Sequence, residues 1–181
     1  ITGGMSSGKT TISYDILKYN HDYIYVDVDI FRRNLYKNDS YISELKKSIP
    51  ELKKYDEINS LILNRYIYSN EEYMKRYKEI LYKYLFNYLE SFDDKTIIVD
   101  WALILNDNLQ DRFDKIIYVD SSEEIRLERL SESDLSKEDI LKRFALQKID
   151  NLEKYHSDNF LIINNDNGYD LNKINEFLNS M

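Results

Sequence analysis

Gly3, Gly8, Lys9 and Thr10 stand at the spacing Gly-x-x-x-x-Gly-Lys-Thr within Gly3-Gly4-Met5-Ser6-Ser7-Gly8-Lys9-Thr10. Residues of these types at this spacing hold phosphate. Glycines let backbone N–H groups curl around the anion, a lysine reaches the β and γ phosphates of a nucleoside triphosphate, and a hydroxyl serves Mg²⁺. Thr11 carries the pattern into a helix expected to run from Thr10 to Asn20. A chance glycine turn is the bland alternative, which the expected position at a strand end disfavours.

Other candidates end apolar runs or flank helices. Asp27-Val28-Asp29 follows Tyr23-Ile24-Tyr25-Val26. If the chain stays extended, Asp27 and Asp29 point the same way, and a carboxylate there can take an acceptor hydroxyl's proton or hold magnesium through water. Arg32 and Arg33 add positive charge suited to a phosphate-bearing acceptor; solvated arginines at an ordinary acidic strand end are the alternative. Asp100 reads equally as a carboxylate organising the Mg²⁺ hydration shell and as a cap of the next turn. Arg126, Arg129, Lys142 and Arg143 flank the polar break Ser131-Glu132-Ser133-Asp134-Leu135-Ser136. They fit a mobile lid closing on nucleotide, or plain exposed helix pairs. His21 and His156 lack the spacing of a zinc hydrolase and read as surface or core residues.

Positioning these groups needs a sheet. Tyr23–Asp27, Thr96–Asp100, Lys115–Asp120 and Phe160–Asn164 are short apolar runs with a polar end, as in buried parallel strands. Helical patterns alternate with them over Thr10–Asn20, Ser122–Ser131, Ser136–Lys154 and Leu171–Leu178. The expectation is an α/β doubly wound sheet. The stretch from Ile30 to Phe92 breaks the alternation and reads as an inserted helical subdomain. There Tyr73, Tyr77, Ile80, Leu81, Tyr84, Leu85 and Tyr88 form one face, most simply a core, and Pro50 separates two helices.

With 181 residues the chain suits one domain. Its lack of cysteine excludes disulfides and thiolate chemistry, and a net charge of −8 argues against a surface that coats nucleic acid. No segment has the long uncharged apolar run of a membrane span and no signal-peptide pattern opens the chain, so secretion has no support and the cytoplasm is the expected location. Because phosphate loops follow a buried strand, a few apolar residues and the initiator Met are expected before Ile1.

Taken together, these motifs resemble the dephospho-coenzyme A kinase family. The resemblance rests on Gly3 to Thr11, Asp27-Val28-Asp29 with Arg33, Phe113-Asp114-Lys115-Ile116-Ile117-Tyr118-Val119-Asp120, Glu128-Arg129-Leu130, Leu135-Ser136, Arg143 with Gln147, and Asn165 through Gly168. It implies a P-loop NTPase-type doubly wound parallel sheet forming a single kinase domain over 1–181. A helical acceptor-binding insertion would occupy about 30–92 and a short lid about 131–137. The implied reaction transfers the ATP γ-phosphoryl group to the ribose 3′-hydroxyl of dephospho-coenzyme A, with Mg²⁺ as cofactor and ATP as co-substrate. Asp29 and Lys9 would be catalytic; Gly3, Gly4, Met5, Ser6, Ser7, Gly8, Lys9, Thr10, Thr11, Arg129, Arg143 and Asn165 would bind ATP. Asp27 and Arg33 would bind the acceptor, and Thr10 would hold Mg²⁺, with Asp29 or Asp100 through water. The family's His-Pro pair is replaced by Tyr82-Lys83, its Pro-Leu-Leu by Ala102-Leu103-Ile104, and its lid arginine by Glu132 or Ser133. Another nucleoside or nucleotide kinase of this fold, or a non-catalytic nucleotide-binding regulator, are the competing readings.

Overall fold

The computed structural model describes residues 1–133 and 135–180. Asp134, inside the expected lid, lies outside the described residues, as does Met181. Strands β1 (Ile24–Asp27), β2 (Ile97–Asp100), β3 (Ile116–Asp120) and β4 (Phe160–Asn164) alternate with eight α-helices among the described residues. These are α1 (Lys9–Tyr19), α2 (Val28–Leu35), α3 (Asp39–Ser48), α4 (Ser60–Ile67), α5 (Glu71–Glu90), α6 (Glu123–Arg129), α7 (Lys137–Gln147) and α8 (Leu171–Asn179).

β1 pairs with β2, and β3 pairs in parallel with β4 in a register that sets Ile116 opposite Phe160 and Asp120 opposite Asn164. The start of the chain joins the two pairs. Ile1 exchanges backbone hydrogen bonds with Val99 (2.7 Å) and Trp101 (3.0 Å), and Thr2 with Ile117 (2.9 Å) and Val119 (2.8 Å). Ile1–Thr2 therefore lies between β2 and β3 and aims Gly3 out of the sheet.

The chain forms two compact units, Ile1–Tyr25 with Ile98–Met181, and Val26–Ile97. In the first, Ile12 and Ile16, one turn apart on α1, pack with Ile98, Ile117, Val119, Ile163 and Ile174. Near-continuous apolar strands are what a parallel sheet covered by helices requires. The second unit is helical, with a core of Tyr41, Leu45, Ile49, Leu52, Leu63, Ile67, Tyr77, Ile80 and Leu81 among others. Asn38, Asn59 and Asn70 begin α3, α4 and α5 by accepting backbone N–H groups, the usual service of a short amide side chain at a helix start. Pro50 opens a short 3₁₀ turn (Pro50–Lys54) immediately after α3, since a proline disfavours helical geometry in the residue before it. The aromatic stripe on α5 is core through Tyr77, Ile80, Leu81 and Leu85, whereas Tyr88 at its end is 42% exposed and stacks on Phe31.

Two local expectations need correction. The helical pattern over Ser136–Lys154 breaks at Gln147: Lys148 is extended, and Asn151 turns the chain by accepting the Glu153 N–H. Asx side chains that bond their own backbone favour turns over helix continuation. The Asp27-Val28-Asp29 segment does not stay extended either. β1 ends at Asp27, whose carboxylate accepts the Ile30 N–H at 2.9 Å and starts α2, so Asp27 and Asp29 do not share a strand face.

Candidate active site

The glycine loop leaves the sheet between β2 and β3 and feeds α1. Gly3 (φ 139°) and Gly8 (φ 104°) occupy conformations that side chains resist, and at both the surroundings leave no room for one. A Cβ on Gly3 would collide with the Val119 carbonyl, and one on Gly8 with the Asn165 amide. Ser6 is left-handed as well (φ 59°), which bends the middle of the loop.

Among the described residues, every α-helix except α1 is started by an Asp, Asn or Ser side chain that accepts a backbone N–H. α1 begins at Gly8 with no such cap and no acidic residue in its first turn. Its leading N–H groups and the positive end of its dipole are left for an external anion.

Side chains converge on this opening. Lys9 Nζ donates to the Gly4 carbonyl at 2.9 Å, so its ammonium folds back across the loop. Thr10 Oγ1 donates to Asp100 Oδ2 at 2.7 Å, and Tyr25 hydroxyl donates to the same oxygen at 3.2 Å. Asp100, the last residue of β2, is buried. It thus binds two hydroxyls from neighbouring elements, more than the cap of one turn would require.

On the other rim, Arg129 Nη1 donates to the Ser6 and Ser7 carbonyls (3.1 and 3.2 Å) and its Nη2 to the Asn165 carbonyl at 2.6 Å. The buried Asn165 amide donates to the Ser7 carbonyl at 2.8 Å. Asp166 accepts from the Ser122 N–H (2.7 Å) and the Ser121 hydroxyl (2.9 Å). These donors, the Ser122 N–H first, hold its carboxyl below the ordinary carboxylate range. They tie the turn after β4 to the turn after β3.

The remaining expected residues divide between the units. Met5, Ser6, Ser7 and exposed Thr11 lie on the loop and α1, and Arg143 Nη1 is 4.0 Å from Met5 Sδ. Asp29 sits on the first turn of α2 in the second unit, 78% exposed, with its carboxylate 3.3 Å from Arg32; Arg33 Nε bonds its carbonyl. Lys83, expected to stand where the family has a His-Pro pair, is paired with Glu44 at 2.6 Å. Lys142 pairs with Glu138 one turn away, the plain helix-pair reading of that cation. His21 and His156 are exposed.

Two residues at the loop have no role of their own in the sequence pattern, Arg126 standing only among four lid cations and Gln147 only in sequence order with Arg143. Gln147, the last residue of α7, accepts the Met5 N–H through Oε1 at 2.6 Å. Arg126 crosses Gly4, where a Cβ would strike its guanidinium, and lies 3.9 Å from the Phe144 ring centroid. A cavity of about 460 Å³ lined by Gly4, Arg126, Phe144 and Gln147 among others opens beside them. Sequence order hinted at Gln147 through its pairing with Arg143; nothing in spacing singled out Arg126 from the other helix cations.

The sheet, the flanking helices and the glycine loop define an α/β protein with parallel strands and an uncapped helix start at that loop. The chain belongs to the dephospho-CoA kinase family, whose model matches residues 1–170. It is 26% identical over 179 residues to a dephospho-CoA kinase of Fusobacterium nucleatum, covering 96% of this chain and 92% of that one. A dephospho-CoA kinase of Staphylococcus saprophyticus is 28% identical over 141 residues, covering 73% of this chain and 68% of that one. Its fold is similar to the crystal structure of TT1252 from Thermus thermophilus (TM-score 0.72, 21% identity, 99% of this chain and 92% of that one). It is also similar to dephospho-CoA kinase from Campylobacter jejuni (TM-score 0.60, 20% identity, 99% of this chain and 95% of that one).

Proposed function

We infer that this chain transfers the γ-phosphoryl group of ATP to the ribose 3′-hydroxyl of dephospho-coenzyme A, the last step of coenzyme A synthesis. The observation that carries this is the uncapped start of α1 with Lys9 folded over the loop, in a chain matched to the family over residues 1–170. The acceptor oxygen attacks the γ phosphorus, the bond to the β-γ bridging oxygen breaks, and ADP leaves. Asp29 takes the hydroxyl proton; its exposed carboxylate is open to an acceptor. Lys9 neutralises charge on the β and γ phosphates, and the loop N–H groups orient them, so catalysis is chiefly positioning and charge stabilisation.

The hydroxyl of Thr10 and the buried carboxylate of Asp100 fit a hydrated Mg²⁺, Thr10 directly and Asp100 through water. Held by these residues, such an ion would supply positive charge to neutralise the phosphates of ATP. Arg129, Arg143 and Asn165 serve the nucleotide, Asp27, Arg33 and the helices of the second unit the acceptor, within one kinase domain whose lid is the segment about 131–137. No helix among the described residues is long and apolar enough to cross a membrane.

A coupled ADP-release assay with dephospho-coenzyme A, adenosine, pantothenate derivatives and nucleoside monophosphates tests the assignment. Dephospho-coenzyme A is expected to be the preferred acceptor. Preference for another acceptor points to a different kinase of this fold, and transfer to none points to a nucleotide-binding regulator.

A further inference from the structure

We propose that Arg126 is a further catalytic residue, contacting the terminal phosphoryl group of ATP from the side of Gly4. The proposal rests on ATP occupying the glycine loop, and four observations support it.

Two cations meet at Gly4. Lys9 Nζ sits on its carbonyl at 2.9 Å, and the Arg126 guanidinium occupies the space a Cβ of Gly4 would need. Like charges gathered at one glycine raise the local potential, and an anion between them relieves the repulsion.

Arg126 also has donors to spare. Among the described residues it makes no hydrogen bond and no ion pair, and its Nε is buried without a partner. A buried unsatisfied N–H is costly, and such groups concentrate where a ligand completes them. The other cations differ: Arg129 spends its N–H groups on the Ser6, Ser7 and Asn165 carbonyls, and Lys142 is paired with Glu138. Leu130 to Ser136 contains no Lys or Arg at all.

The side chain is held in place. Its guanidinium carbon lies 3.9 Å from the Phe144 ring centroid, so α7 holds the group against a ring that takes up none of its N–H donors as hydrogen bonds. A preset planar fork suits a phosphate better than a mobile ammonium does.

Direction selects the terminal phosphate. α1 offers its N–H groups at Gly8 and Lys9, while the Lys9 side chain runs from there back to Gly4. A phosphate chain seated at the helix start and following Lys9 brings its far end toward Gly4 and Arg126.

The test compares Arg126→Met with the unmutated protein by calorimetric titration of MgATP and MgADP. Met keeps an unbranched apolar stem and removes the charge. Affinity for ATP is expected to fall by about tenfold while affinity for ADP stays within about twofold, because only ATP carries the group that Arg126 binds. Arg126→Lys should recover part of the ATP loss and, if Arg126→Met proves unfolded by thermal melting, replaces it as the comparison. Equal loss for both nucleotides marks a purely structural side chain and overturns the proposal, as does no loss for either. An ATP-selective loss supports the proposal even if the unmutated enzyme phosphorylates no dephospho-coenzyme A. That second result would overturn the proposed reaction alone.

Discussion

Thr10 Oγ1 lies 2.7 Å from Asp100 Oδ2, a hydrogen bond between residues ninety positions apart that joins the first turn of α1 to the end of β2. A hydroxyl and a buried carboxylate so joined make a hard-oxygen pair. Asp100→Asn keeps the shape and removes the charge. It is expected to weaken binding of ATP with Mg²⁺ by about tenfold and to leave binding of ATP in excess chelator nearly unchanged. Paired titrations with and without the metal check this, and equal weakening in both would disprove the assignment.

Lys9→Ala is expected to abolish turnover while the protein stays folded. The ammonium is half-buried and its described bond to the Gly4 carbonyl links neighbouring parts of one loop, so its removal takes away charge more than packing. Circular dichroism melts beside the coupled assay separate the two effects. Loss of the folded state would show that the side chain is structural.

Asp29→Asn retains size and removes basicity. ATP affinity should remain within about tenfold, or ~1.4 kcal/mol, while turnover with dephospho-coenzyme A drops by about a hundredfold or more. Near-normal phosphorylation would shift the base assignment to Asp27 or Asp100.

Glycine substitutions should rank by surroundings. Gly168 has φ 96° but nothing among the described residues within 4 Å of an added Cβ, whereas a Cβ on Gly3 would strike the rigid Val119 backbone. Gly168→Ala should cost about 1 kcal/mol of stability from backbone strain alone, and Gly3→Ala at least about 3 kcal/mol. Urea unfolding gives both values, and the reverse order would contradict the loop geometry.

Tyr41 is fully buried and its hydroxyl has no hydrogen-bond partner among the described residues. Tyr41→Phe removes an unsatisfied group without opening a large cavity, so stability should stay level or rise by about 1 kcal/mol. Burial raises the Tyr41 hydroxyl above its ordinary value and pushes Tyr77 up to about 12. A pKa raised on folding contributes stability that is complete below the unfolded value and is lost as pH climbs through the folded one. Alkaline unfolding of the helical unit is therefore expected to begin above pH 10, and Tyr77→Phe should make it less steep. Denaturant melts between pH 8 and pH 12 test this, and an unchanged alkaline slope in Tyr77→Phe would refute it.

The sequence by itself carried whatever depends on local pattern. Glycines at fixed offsets before Lys9 and Thr10 announced a tight loop leading into a helix because backbone conformation is a local property. The four apolar runs announced strands because both faces of a covered sheet must be apolar. Likewise, Pro50 marked a break through its effect on the residue before it. Tertiary structure decided the pairings across distance. Whether Asp100 capped a turn or organised a metal's hydration shell was undecided in the sequence, since both readings place an acid at a strand end; the packing of α1 beside β2 adds that its carboxylate accepts the Thr10 hydroxyl. Arg129 and Arg126 are alike in sequence, three residues apart on α6. A difference of one helical turn leads Arg129 to the Ser6, Ser7 and Asn165 carbonyls and Arg126 to the Phe144 ring, and only the folded chain specifies which acceptors each can reach.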